Sequence, residues 1–569
     1  MPRFSQPVAL LFSGLLAVFS FPVRGQNLQE IGKKNSWKVG GGVSLTQMGY
    51  WVNGTTQRRD PYSYFLSGNI IPTLYGVALP FSFAVSNQSR SFQQPFNQFS
   101  LHPSYRWATA HLGYTTMTFS PYTLNGHIFR GVGVELRPEK FQVSAMYGQL
   151  RRAVAPDSVR NSVPAFERWG FGLKAGYRHE QDYAELSVFH GEDKAESLPA
   201  VTDETELFPE ENMALGISLG KGLWQKLALQ TEWALSALTR DTRSDKWPST
   251  GGGWGGLFTP RLSTAYYQAW KAGLQYLMEN YTAGVAYERI DPGYTTHGAY
   301  YFNNDLENYT VNATGTWWSG KINASANAGI QRDNLDRSKM STMSRWVASL
   351  SISAAPTEKL TLSSTYSNFQ SFTNIRSQFV DINQLTPYDN LDTLRFTQIS
   401  QSLNLTANYQ LPGSNQKRQF LSANVAVQDA AERQSDVVQN SGSRFYNLNT
   451  SYVISWVALQ LNSSLAYNLN RNESQVMDVT THGPSVSVSK TMMERKLRLA
   501  FSSAYNTSVA SGESQFRILT LRSNAGYTIQ KKHQFNLGLA AVNRAGGSGS
   551  EGTDAFTEFT GTLTYNYSF

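Results

Sequence analysis

The sequence predicts an all-β fold: a closed antiparallel transmembrane β-barrel of about 26 strands, bounded at roughly 24 and 28, with short turns at one end and long loops at the other. Three observations predict it. Segment after segment alternates apolar with polar residues, the links between segments are short and long by turns, and almost no segment carries helical periodicity. The pattern reads as a single barrel domain over 36–569, because no interior linker rich in Pro, Ser or charge divides it.

The first element lies outside the barrel. Arg3 opens a short basic region, 8–21 is an apolar run, and Val23-Arg24-Gly25 places small or modest residues where a signal peptidase cuts. Residues 1–25 therefore read as a signal peptide, Gln26 as the mature start and 26–35 as a short periplasmic segment. The apolar run is too short to span a bilayer, and no later stretch approaches the roughly 20 apolar residues that a transmembrane helix needs. Cysteine is absent, which excludes a lipid-modified N-terminus, a disulfide framework and thiolate chemistry.

Strands follow in order. Phe141, Val143, Ala145 and Tyr147 share one face, as do Leu227, Leu229, Thr231, Trp233 and Leu235, and Val311, Ala313, Gly315 and Trp317. The same period continues in Leu403, Leu405, Ala407 and Tyr409, in the alternate residues of 459–469, and in Leu497, Leu499, Phe501, Ser503 and Tyr505. Tight links are expected at 137–140, 178–182, 220–225, 277–281, 318–321, 354–359, 455–457 and 529–533. Longer polar links are expected at 151–165, 190–209, 239–261, 291–303, 372–394 and 430–441. Ile71-Pro72 and His102-Pro103 each read as a turn or a break.

Such a rhythm is that of an outer-membrane barrel of a Gram-negative cell. A bilayer forbids unsatisfied backbone groups, so without helices the sheet must close. The apolar face then meets lipid, with aromatic girdles at the interfaces, and the polar face lines a lumen. Gln230, Glu232, Asn404, Asn462 and Asn468 are the lumen-facing candidates. An even strand number puts both termini in the periplasm. The formal charge of +8 is scattered along the chain, which argues against a nucleic-acid partner.

The chain ends GTLTYNYSF, with Leu563, Tyr565, Tyr567 and Phe569 at alternate positions. These residues resemble the C-terminal β-signal of outer-membrane barrels, and the resemblance implies that the barrel-assembly machinery reads them. The whole chain, without cysteine and rich in Tyr and Asn, is similar in style to large Bacteroidota barrels of porin or translocon type. Its densest motif-like stretch is 101–136.

The predicted width exceeds that of the water-filled porins of 16 to 18 strands, so something fills the lumen or uses it. Segment 26–35 reads as too short for the plug domain of TonB-dependent transporters. Inward-folded loops, a plug or accessory protein, or a bulky substrate are the alternatives. In 239–261, Gly251 to Gly256 enclose Trp254, which would wedge into a lumen or meet a sugar face, although a glycine run reads first as a surface loop.

The acidic stretch 190–212 would offer calcium hard oxygen ligands but lacks calcium-loop spacing, so it reads first as solvated. A neighbouring basic stretch with Arg151, Arg152, Arg160 and Arg168 would pair with it or contact lipopolysaccharide phosphates. Asp389 and Asp392 are loop-binding candidates, as are Asn303, Asn304 and Asp305, and all read equally as turn chemistry.

His111 and His127 raise a catalytic alternative, yet no Gly-x-Ser-x-Gly elbow, His-Glu-x-x-His helix or paired metal spacing is present. The sequence thus predicts no catalytic residues, no metal and no cofactor. Lipids and lipopolysaccharide are the expected surroundings. The function expected is a pore or translocation channel for bulky or polymeric solutes, gated or plugged by loops or a partner. The alternative is a non-conducting structural or ligand-binding subunit of a surface complex.

Overall fold

The computed structural model describes residues 37–57, 59–74, 77–87, 97–155, 164–198, 207–224, 226–247, 257–339, 344–368, 397–434, 437–438, 443–474, 478–547 and 555–569. The predicted signal peptide and 26–35 lie outside them. So do Trp254, Asp389 and Asp392.

Among the described residues, 26 strands form one antiparallel sheet that closes on itself. They begin with β1 (Trp37–Asn53) and β2 (Tyr62–Leu74). Two interrupted strands follow, β3 (Val77–Ala78 with Phe81–Ser86) and β4 (Gln98–Leu101 with Ser104–Tyr105). Next come β5 (Ala108–Thr118), β6 (Asn125–Leu136), β7 (Phe141–Arg151), β8 (Glu167–His179), β9 (Asp182–Lys194) and β10 (Glu211–Leu223). The wall continues through β11 (Leu227–Thr239), β12 (Thr264–Leu277), β13 (Tyr281–Ile290), β14 (Leu306–Trp317), β15 (Ile322–Arg332), β16 (Ser344–Thr357) and β17 (Leu360–Ser367). It ends with β18 (Thr397–Ser414), β19 (Lys417–Gln434), β20 (Ser443–Trp456), β21 (Leu461–Glu473), β22 (Val479–Met492), β23 (Leu497–Ala510), β24 (Glu513–Ile529), β25 (His533–Gly546) and β26 (Phe556–Ser568).

Closure is made by β1 against β26, in a register running from Gly42 opposite Ser568 to Asn53 opposite Thr557. Each of these strands therefore has a bonded neighbour on both sides, as a water-free environment demands of a wall. One face of the wall carries exposed apolar side chains, among them Leu186, Leu219, Trp270, Val285, Leu465 and Phe501.

Four local expectations are corrected. Ile71-Pro72 stays inside β2, where Pro72 lies opposite Val39 and its carbonyl accepts from the Leu79 amide at 2.8 Å. Leu459 and Gln460 sit in a turn, not in a strand, and Gln460 has φ of +48°. Strand β9 runs on to Lys194, and β19 to Gln434, so the loops expected from 190 and from 430 begin later. For Ile71-Pro72, β9 and β19 cross-strand pairing outweighed local composition, whereas 457–460 form the turn that Trp456 opposite Leu461 closes.

Candidate functional site: two loops inside the barrel

Two connections turn inward and pack on each other. Loop 119–124 links β5 to β6, within the motif-like stretch, and loop 291–305 links β13 to β14. The first is a compact turn: the Phe119 amide donates to the Leu124 carbonyl at 2.8 Å, and the Tyr122 amide to Ser120 Oγ at 3.0 Å. The second clasps it. Tyr294 donates its hydroxyl to the Tyr122 carbonyl and Thr296 donates to the Thr123 carbonyl, both at 2.7 Å.

Strands β8 to β13 hold the pair. Lys174 Nζ donates to the Phe119 carbonyl at 2.9 Å, and the Tyr122 hydroxyl donates to Glu288 Oε1 at 2.6 Å. Ser236 Oγ donates to the Thr295 carbonyl at 2.6 Å, and Asn212 Oδ1 accepts from the His297 amide at 3.1 Å. Asn212, Ser236 and Thr123 are wholly buried, so each polar group must find a partner, and each does. Burial first and the Glu288 carboxylate second push the Tyr122 hydroxyl well above the usual tyrosine range, so it stays a donor.

The wall beneath the loops is built for contact. Phe129, Met146, Leu150 and Phe189 of β6, β7 and β9 form a buried apolar cluster with Met117, Phe119 and Leu124. Glycines make room beside them: a Cβ at Gly172 would lie 2.7 Å from the Phe119 ring, and one at Gly191 would lie 2.9 Å from His297 Cβ. This floor went unrecognised in the sequence, although its signal was there. Gly131, Gly148, Gly170, Gly172 and Gly191 recur on the face that also carries Phe129, Met146, Leu150 and Phe189. Glycine beside large apolar groups on a wall expected to be polar means that something packs there.

At the loop end of the strands an ion network fastens the arrangement. Arg168 grips Asp193 with two nitrogens at 2.7 and 2.8 Å, and Arg151 approaches both oxygens at 3.2 Å. Arg168 reaches Glu210 at 3.0 Å, and His297 Nε2 lies 3.2 Å from the same carboxylate. Burial works to raise the Glu210 carboxyl, but the His297 contact and the Arg168 charge outweigh it and hold it at about 2. The basic and acidic stretches thus pair through Arg151, Arg168, Asp193 and Glu210. Arg160 lies outside the described residues.

Other expected residues fall as follows. Gln230 and Glu232 share a cavity of about 480 Å³ with Lys271 and Asn308. Asn404 accepts from Asn424 at 3.1 Å, Asn468 contacts Asn449, and Asn462 lies opposite Ser455 and Ser489. Asn304 donates to the Tyr294 carbonyl at 2.9 Å, and Asp305 accepts from the Leu335 amide at 2.8 Å and pairs with Lys339. Both act as loop clips.

His111 meets His102 and Glu135, while His127 stacks on Tyr300 at 4.1 Å. Leu563, Tyr565 and Tyr567 lie in β26, and the Phe569 amide donates to the Gly41 carbonyl of β1 at 3.1 Å. Tyr565 packs on Phe535 at 4.8 Å and bonds His533 at 2.9 Å. Among the described residues no group of three or more His, Asp or Glu side chains is gathered to hold a metal.

No protein-family model and no curated protein matches the chain. Among solved structures it is similar to the copper transporter OprC, at 9% identity and a TM-score of 0.37, over 94% of this chain and 80% of that one. It is similar to the FrpB iron transporter (F5-1 variant) from Neisseria meningitidis, at 9% identity and a TM-score of 0.35, over 93% and 82%. For the P pilus usher PapC translocation pore the values are 9% and 0.30, over 93% and 99%. Values this low bear on neither family nor function.

Proposed function

We propose that the chain is an outer-membrane channel whose lumen is narrowed by its own loops along one arc and left wide along the rest. The observation that carries this reading is the closed barrel of 26 strands, apolar outside, in which loops 119–124 and 291–305 cover the inner face of β6 to β13. Along β18 to β26 the described residues leave the corresponding face largely uncovered, with Asn, Ser and Thr exposed to solvent. Solutes pass by steric and electrostatic sieving, with no covalent step. Bulky or polymeric polar solutes are the class that this width suits.

In the same reading, β26 with Leu563, Tyr565, Tyr567 and Phe569 is read during assembly, both termini lie in the periplasm, and 1–25 is removed on export. The similarity in style to Bacteroidota barrels belongs to the same proposal. The pure barrel, reconstituted into a planar bilayer, is expected to give large, stable conductance steps. A correctly folded but silent barrel would favour the second reading, a ligand-binding surface subunit, for which the fixed inner loops speak.

A further inference from the structure

The inner face of β11 to β14 is hollow, with a cavity of about 480 Å³. Cross-strand pairing sets its lining in rows. Glu232, Lys271, Glu288 and Asn308 lie side by side on successive strands, and Gln230, Gly273, Ala286 and Thr310 form the next row towards the tight turns. Gly273 and Ala286 leave the hollow, since two small residues stand where neighbours carry long side chains. A Cβ at Gly273 would meet nothing nearer than 3.8 Å. Tyr122 touches the site through its bond to Glu288, one of the lining residues.

We infer that this cavity is a subsite for an uncharged saccharide, which deepens the channel reading and rests on it for access. Among the described residues Glu232 Oε1 and Asn308 Oδ1 have no hydrogen-bond partner, while Ser120 bonds the Glu232 carboxyl; a small turn of either side chain would let a sugar hydroxyl donate to the free oxygen. Gln230 and Asn312 supply amides that donate and accept, as sugar hydroxyls do. Two carboxylates face one lysine, which disfavours an anion. Tyr183, also in the lining, carries the Arg178 guanidinium over its ring at 4.4 Å and brings its hydroxyl to the lining as a further donor and acceptor. The volume lies within the usual range for small-ligand sites, roughly 300–1,000 Å³.

The test is saturation-transfer NMR on the folded full-length barrel in detergent micelles, with maltose, cellobiose and diacetylchitobiose as separate probes. Transfer to at least one is expected, with glucose 6-phosphate weaker. Gly273→Phe, which fills the hollow, and Asn308→Leu, which removes an acceptor, should each reduce the transfer by about tenfold. Heat-modifiable gel migration verifies that each variant is folded, and Asn308→Leu serves alone if Gly273→Phe is not. Absence of transfer from all three sugars, transfer unchanged in the folded variants, or glucose 6-phosphate as the best probe overturns the subsite. Conductance is read separately: steps without sugar transfer sink the subsite and leave the channel, whereas a silent barrel sinks the channel, whatever the sugars do.

Discussion

The arc from β5 to β15 and the arc from β18 to β26 are written in the same strand grammar and end in different states. Among the described residues nearly all buried ones lie between Met48 and Asn334. Beyond Asn334 the buried ones among the described residues are Val347, Gly483, Ser508 and Ala510. Where loops cover the inner face, that face obeys the rules of a protein core, with Phe129 and Phe189 wholly buried and Asp193 held by two arginines. Where it is uncovered, side chains satisfy one another along the sheet: Asn424 donates to Asn404 at 3.1 Å and to Thr406 at 2.9 Å, Asn447 pairs with Asn470, and Ser464 with Ser487. The sheet itself is indifferent; a third layer decides what each face needs.

Removal of that layer is the most direct way to break the comparison. Replacing 292–303 by a short Gly-Ser link should enlarge single-channel conductance by roughly twofold or more, as pore cross-section governs ion flow. Unchanged steps would mean that the loops do not narrow the path.

A cavity in the covered arc ranks next. Phe129→Ala should cost about 3–5 kcal/mol in denaturant unfolding, because the buried cluster around it cannot collapse fully. A loss below about 1 kcal/mol would show that the covered face is no true core.

Charge sharpens the contrast further. Arg168→Ala leaves Asp193 buried with Arg151 as its remaining guanidinium and should destabilise the barrel by about 3 kcal/mol. Arg471→Ala, which removes an exposed partner of Glu473, should leave unfolding unchanged within error. Equal effects from the two would erase the distinction between the arcs.

Acid should loosen the covered arc at Glu210. The Glu210 carboxyl is depressed in the folded state, from an ordinary value of 4.5 to about 2, so its stabilising contribution is complete above 4.5 and fades as pH falls towards 2. Its side chain is 39% exposed, which keeps the effect modest. Hydrogen exchange in 291–305 should rise over that window in the wild type and be less pH-dependent in Glu210→Gln. The smallest effect is expected from Asn424→Ala, about 1 kcal/mol or less, since water replaces the lost partners.

The strand pattern was legible because period two is local: each strand shows its own apolar and polar sides, and the lengths of the links give their ends away. Hence the wall, its closure and the two inward-outward faces could be read from residues such as Leu227 to Leu235 without any partner in view. The loop pairing was not legible. Loop 291–305 looked like any polar link, and 119–124 was too short to stand out among the longer ones. Their destinations depend on contacts between residues far apart in the chain, Tyr122 with Glu288 across 166 positions and Thr123 with Thr296 across 173.

By itself, then, the sequence determined a closed two-faced wall, because alternation and backbone pairing are short-range necessities. Tertiary structure alone decided which stretch of the inner face would become dry, because that depends on where two loops settle once the cylinder has brought β6 and β13 within reach of one another.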